Sequence, residues 1–302
     1  MTLAMRARRL IGVVAFVAGL CMPASVAAQA WLSRDGEGTV SITYQGLYSA
    51  DHLDLNGKPF DKGRVTAHML LTGLQYGLTD RLMLDARVTG VMTRYAGIDE
   101  MHGPLDNERY HATAQDARLG LAWQMRGAGP VAVAPYVAVV FPTHGYETRG
   151  HSAPGRRLVM LQMGAWVGRP LGSRAYVQGQ GTFALVNRVA DMSIHRSLFE
   201  GEFGYAVASR LSASAIVTMH RTHGGIVFPL SPHLDEHERH DHDRIARDNF
   251  ILLSGGVTVT MTRRTVLYGT VIRTLSGQNT HKVIGGTIGV AYRFGGGLSF
   301  GR

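Results

Sequence analysis

The feature that most restricts this chain is alternation: apolar residues recur at every second position, in segment after segment, along nearly its whole length. From Leu82 to Met92, Leu82, Leu84, Ala86, Val88, Gly90 and Met92 share one face, and Met83, Asp85, Arg87, Thr89 and Val91 share the other. Ala117, Leu119, Leu121, Trp123 and Met125 alternate in the same way with Asp116, Arg118, Gly120, Ala122 and Gln124. The segments Val177 to Leu185, Phe199 to Tyr205 and Ile288 to Phe294 repeat the pattern. Successive side chains of a β-strand point to opposite faces, so this is the period of strands with one apolar and one polar side. After residue 30 no run approaches the ~20 apolar residues of a membrane-spanning helix. The longest, Val131 to Phe141, contains Pro135 and has the length of a tilted spanning strand.

A soluble sandwich also alternates, and the rhythm of the turns separates the two. Tight turns fall at 77–80, 127–130, 169–173, 208–209 and 262–264. Between them lie mostly longer segments rich in His, Asp and Gly, at 49–62, 95–112, 143–156, 187–195, 222–247 and 276–282. Short turns at one end and longer loops at the other mark a barrel of the outer-membrane kind. The expected fold is all-β: a transmembrane antiparallel up-and-down β-barrel of about twelve strands, near 38–48, 64–76, 81–94, 114–126, 131–142, 157–168, 174–186, 196–207, 210–221, 248–261, 265–275 and 283–294. Hydrocarbon offers no partner to a backbone N–H or C=O, so such a sheet must close on itself. Tyr44, Tyr48, Tyr76, Trp123, Trp166, Tyr176, Tyr205 and Tyr292 are placed to form interfacial girdles.

The first thirty residues read as a signal peptide. Arg6, Arg8 and Arg9 precede an apolar stretch from Leu10 to Leu20, and Ala28-Gln29-Ala30 supplies a small-x-small cleavage site before Trp31. The expected organisation is therefore a leader, 1–30, and a barrel, 31–302. Cys21 is the only cysteine, and Leu20 before it argues against lipidation. An exported domain without disulfides needs another source of rigidity, and a closed hydrogen-bonded sheet provides one.

The formal charge is +9, carried almost wholly by Arg, with Lys only at 58, 62 and 282. Arg suits phosphate forks, and lipopolysaccharide phosphates are the nearest such partner outside the cell. No nucleic-acid motif accompanies the charge, so the expected partners are outer-membrane lipid, lipopolysaccharide and a small-molecule solute. No cofactor is implied.

The polar faces of the strands nominate a lumen. Asp85, Arg87, Asp116, Arg118, Gln178, Gln180, Glu200, Glu202, His220 and Arg273 are expected to line it, with Gln162 beside them. They suit a selective water-filled pore, and equally a ladder of ion pairs, Asp85 with Arg87 and Asp116 with Arg118, that fills a narrow barrel. His233, His237, His240 and His242 lie in one polar loop, where helical spacing would gather the first three on a face able to take zinc, copper or nickel. A solvated loop without metal is the alternative. For catalysis, His195-Arg196-Ser197 sets a His and a Ser two apart on a strand, with Asn187 as an orienting group and His151-Ser152 as a second pair. A hydrolase acting on lipid at the barrel wall is thus an alternative function, as is a structural or metal-capturing surface barrel.

The segment Gln75-Tyr76-Gly77-Leu78-Thr79-Asp80-Arg81-Leu82-Met83-Leu84 resembles the periplasmic hairpin of proteobacterial outer-membrane β-barrel transporters of the phenol-degradation (MetA-pathway) type. The resemblance covers this hairpin, and the rest of the chain in length and rhythm. It implies a barrel that passes small solutes, aromatic or apolar compounds among them, and brings no catalytic residues. The leading expectation is a channel or transporter whose lumen charges set selectivity and whose long loops gate the outer mouth.

Overall fold

The computed structural model describes residues 30–97, 103–125, 130–227 and 241–295. Twelve strands form one closed barrel: β1 (Gly38–Leu53), β2 (Pro59–Gly77), β3 (Leu82–Ala96), β4 (His111–Trp123), β5 (Ala132–Pro142), β6 (Met160–Leu171), β7 (Ala175–Val186), β8 (His195–Ala208), β9 (Leu211–His223), β10 (Asn249–Thr260), β11 (Thr265–Gln278) and β12 (Thr280–Phe294). Each pairs antiparallel with its sequence neighbours. Closure comes from β1 against β12, which are in register from Gly38↔Phe294 to Leu53↔Thr280 with one irregularity between Ser49 and Asp51. No edge is left, which removes the row of unpaired backbone groups that an open sheet presents.

The alternation read from the sequence is the alternation of exposure in the barrel. On β3, Met83, Asp85, Val91 and Thr93 are buried inside, while Val88 and Met92 are exposed outside. On β12 the outward Ile284, Ile288 and Tyr292 are exposed, and the inward Val283, Thr287 and Ala291 are buried. Around the circumference the outward row continues through Leu119, Leu121, Val137, Val139, Leu161, Phe199, Val217, Val257 and Val271. A continuous belt of exposed aliphatic and aromatic side chains is stable against hydrocarbon and not against water. Tyr44, Tyr48, Trp123, Tyr205 and Tyr292 belong to it. Trp166 and Tyr176 do not. They point inward, because Gln180 and Glu202 offer their N–H and O–H groups acceptors there.

The belt gives a direct test. Ile288 is 66 % exposed at the middle of β12. Ile288→Arg is expected to cost about 2–4 kcal/mol, the depth-dependent penalty of a cation facing mid-bilayer lipid. Urea unfolding from lipid vesicles reads it as a lowered midpoint. An unchanged midpoint would mean that this face does not meet lipid.

Strand ends differ from the sequence expectation at the long-loop end. β1 and β2 continue to Leu53 and from Pro59, and β11 and β12 are separated by Asn279 alone. These segments are polar, yet their ladders continue above the belt, where water replaces lipid. Asn279 makes the tight reversal with φ +57°, a conformation Asn tolerates, and its amide donates to Arg247 O at 2.8 Å. β6 begins at Met160 and not near 157, because the chain up to Leu158 packs inside the barrel. At the opposite end the Gly77-to-Leu82 hairpin is closed by Thr79, whose hydroxyl accepts the amides of Arg81 and Leu82 at 3.2 and 3.0 Å. Residues 1–29 of the expected leader lie outside the described residues.

Candidate functional site: the barrel interior

The inward face of each strand contributes one or two polar residues at mid-height, and on one wall they form a connected girdle. Asp85 of β3 is buried and accepts Arg87 at 2.9 Å from its own strand, Arg118 from β4, and Gln75 at 3.3 Å from β2. Arg118 also donates to Gln162 of β6 at 3.0 Å and lies over the Tyr136 ring. Tyr136 stacks on Trp166, with centroids 4.4 Å apart, and its hydroxyl reaches Thr182 and Gln180. Gly164 makes this stack fit: a Cβ there would come within 2.7 Å of the Tyr136 hydroxyl. Further round, Gln178 and Tyr176 both donate to Glu202, at 2.5 and 2.7 Å, and Thr218 donates to Glu200 at 3.4 Å. The interior thus has a cationic wall on β3–β4 and an acidic one on β8.

The remaining inward wall is small and hydroxylic. Ser212, Ser214 and Thr218 of β9 and Ser254, Gly256 and Thr258 of β10 are half-buried, and so is Glu200 beside them. The side chains of this wall are smaller than those that fill the β3–β7 side.

Toward the long loops the interior becomes apolar and closed. Segment 146–158 runs into the barrel, and residues 150–156 are buried throughout. Leu158 from this segment, Val189 and Ile194 from the β7–β8 connection, and Ile226, Ile245 and Ala246 from the β9–β10 connection pack together against the inward Leu47, Met69, Leu71, Val140, Met160, Phe250 and Leu252. Each fully buried Leu or Ile contributes about 1.5–3 kcal/mol. Together they form a plug that shares one hydrophobic core with the barrel wall.

Buried polar contacts hold the plug in place. Asp106 accepts the amides of Gly103, His151 and Ser152 at 3.0, 2.8 and 2.7 Å. Asp243, in a single helical turn at His242–Ile245, accepts Gly150 N–H at 2.8 Å. His151 stacks on Tyr95, and Thr93 donates to Ser152 O at 2.5 Å. Arg156 is the centre of the latch. Its guanidinium lies 3.3 Å from Asp248 and donates to Ala246 O at 3.0 Å, while Arg244 donates to the Arg156 carbonyl at 3.1 Å. Asp248 also accepts Thr222 at 2.7 Å and stands 3.6 Å from His220, which stacks on Phe250. Arg196 of β8 is buried within electrostatic reach of Arg156, Asp248 and Asp116.

Burial by itself would raise the Asp248 carboxyl, but Arg156, then His220 and Arg196, hold it far below the ordinary 3.8. A depressed acid stabilises the folded state at pH above its unfolded value, and that contribution is lost only as pH falls through the folded value. The latch therefore stays charged at every pH above 3.8. The stability that this pair adds is expected to be the same at about pH 5 and about pH 8, read as the gap in urea-unfolding midpoint between wild type and Asp248→Asn. A steep change between them would show that another group controls the pair.

At the short-turn end a second apolar cluster forms. Ala30 and Leu32 pack inside the barrel with Met83, Ala122, Ala134, Tyr136 and Trp166, and Leu32 N–H donates to Gln124 at 3.0 Å.

The nominated residues divide as follows. Asp85, Arg87 and Arg118 come together with Gln162, and Gln178, Gln180, Glu200 and Glu202 share the next stretch of wall. Asp116 does not pair with Arg118. A bulge at the β3–β4 pairing turns it toward the plug, where it accepts Tyr146 at 2.6 Å. His220 belongs to the latch. Arg273 stands on the other face: it is exposed between Val271 and Leu275, because the even positions of β11 are the inward ones. His233, His237 and His240 lie outside the described residues. His242 is described, with Nε2 3.1 Å from Asp243, and among the described residues no His, Cys, Asp or Glu group has the geometry of a metal site. His195 does not bond Ser197, and Asn187 does not orient it. Asn187 accepts Val159 N–H at 2.8 Å, and His195 accepts Val186 N–H at 3.2 Å. Sequence reasoning missed Asp106, Arg156, Asp243 and Asp248. All four sit in loops, where no periodicity distinguishes an inward charge from a solvated one.

No protein-family model and no curated protein sequence matches the chain. Among solved structures it is similar to the COG4313 outer membrane channel from Pseudomonas putida F1, with TM-score 0.68 and 15 % identity, covering 89 % of this chain and 99 % of that one. The NanC porin is also similar, with TM-score 0.51 and 8 % identity over 83 % of this chain and 98 % of that one. At these identities the likeness is one of fold.

Proposed function

We propose that this protein is an outer-membrane channel or transporter for small solutes, aromatic or apolar compounds among them, exported by means of a leader at residues 1–30. The observation that carries the reading is the interior: a polar girdle at mid-height beneath a plug that is folded, apolar and latched by buried charges. The half-buried hydroxyl wall of β9–β10 offers the path, and Asp85, Arg87, Arg118, Glu200 and Glu202 would set which solutes pass. The apolar plug above the girdle gives an uncharged ring a surface to slide against. The likeness in fold to an outer membrane channel and a porin supports the same reading. Outward-facing Arg residues suit lipopolysaccharide phosphates around the rim.

Conductance of the refolded protein in planar bilayers is the test, together with uptake of a phenol-sized solute into proteoliposomes. The expected result is a small, intermittent conductance and faster uptake of the aromatic than of a sugar of similar size. No conductance and no uptake, from the wild type and from a variant lacking the latch, would leave a sealed structural barrel.

A further inference from the structure

The outward face of β8 and β9 carries a polar group that neither the lumen nor the plug uses. Ser197 Oγ and His223 Nε2 are 2.8 Å apart across the β8–β9 ladder. Both lie on the outer face, since the inward neighbours are Arg196, Leu198, His220 and Thr222. The Phe183 ring stands beside them, 6.0 Å from the His223 ring centroid. The residue facing Ser197 in the ladder is Arg221, an exposed cation on the same face. One step further down this face the polar residues stop: Phe199 and Met219 are 56 % and 48 % exposed. The pair therefore sits at the upper border of the apolar belt. That is the level at which a lipid places its ester groups, between phosphate and acyl chain.

We propose that Ser197 and His223 form a hydrolytic site for fatty acyl esters of the outer leaflet, approached from the lipid and not from the lumen. The hydrogen bond lets His223 take the Ser197 proton as Oγ bonds to the acyl carbon. The bond from that carbon to the lipid alcohol oxygen then breaks, and the leaving oxygen takes the proton back from His223. Water attacks the acyl-serine in the same way. Its proton passes to His223, the fatty acid leaves, and Ser197 is restored. Arg221 would hold the neighbouring phosphate, and Phe183 and Phe199 the acyl chain.

The site lies on the opposite side of the wall from the solute path, so this proposal and the channel reading stand or fall separately. Full-length protein in detergent micelles is given phosphatidylethanolamine in one arm and lipopolysaccharide in the other, and released fatty acid is measured. Release from either arm, reduced at least about a hundredfold in Ser197→Ala and in His223→Gln, is expected, and the active arm identifies the acyl source. Both variants should keep the heat-modifiable gel mobility of the folded barrel. Equal release from wild type and Ser197→Ala in both arms would overturn the proposal.

Discussion

For the proposed channel, Asp248→Ala should give more frequent opening, with the conductance several-fold above wild type and a lower unfolding midpoint. The reason is the company Asp248 keeps. It is buried, and its carboxylate compensates Arg156 at 3.3 Å, with Arg196 within electrostatic reach. Removing one member of a buried ion pair costs about 3–5 kcal/mol, mostly because the other charge is left without compensation. Arg156 is tied through this pair to the start of β10 and through the Ala246 carbonyl to the rest of the plug, and the segment that carries it also carries Leu158. The stranded guanidinium gains by moving to water, and the segment must move with it. Arg156→Met, which removes the cation and keeps the packing volume, should open the channel less than Asp248→Ala does. Single-channel recording and urea unfolding of the three proteins make the comparison. A wild-type trace from Asp248→Ala would mean that the apolar core alone holds the plug.

Asp85→Ala should have a comparable effect in the girdle, with a different signature. Asp85 is the common acceptor for Arg87 and Arg118, on adjacent strands. Without it Arg87 keeps only the longer-range attraction of Glu200 on β8, and Arg118 keeps Gln162 and the Tyr136 ring. The expected stability loss is again about 3–5 kcal/mol, reduced to the extent that lumen water reaches the side chains. The diagnostic result is selectivity. The reversal potential in a salt gradient should move toward that of chloride. A double variant, Asp85→Ala with Arg118→Gln, should return most of it, because the two positions share one contact. If the single variant keeps wild-type selectivity, ions do not pass the girdle on the β3–β4 side.

Much of the architecture was legible because its signal is local. In Leu82 to Met92 or Ile288 to Phe294, the chain's own geometry sends alternate side chains to opposite faces, and burial in a barrel adds only which face is inside. Hence the twelve strands, their faces and the inward charges Asp85, Arg87, Arg118, Glu200 and Glu202 could be read in advance, with ends off by a few residues. Where a residue's partner is chosen by distant chain, the reading stopped. Trp166 and Tyr176 look like girdle aromatics until Gln180 and Glu202 draw them inward. Arg273 carries the charge of a lumen residue, but the parity of β11 places it outside.

What the amino-acid sequence determined by itself is the sheet: its strand count, its two faces and the need for closure, all consequences of a two-residue period in a solvent without hydrogen bonds. What only the tertiary structure decided is which loops turn inward and what they meet. Arg156 and Asp248 are far apart along the chain, in segments whose composition matches any solvated loop. Their pairing exists because barrel closure brings the β5–β6 and β9–β10 connections over the same mouth. The Ser197–His223 contact has the same origin, being set by β8–β9 register and not by spacing in sequence.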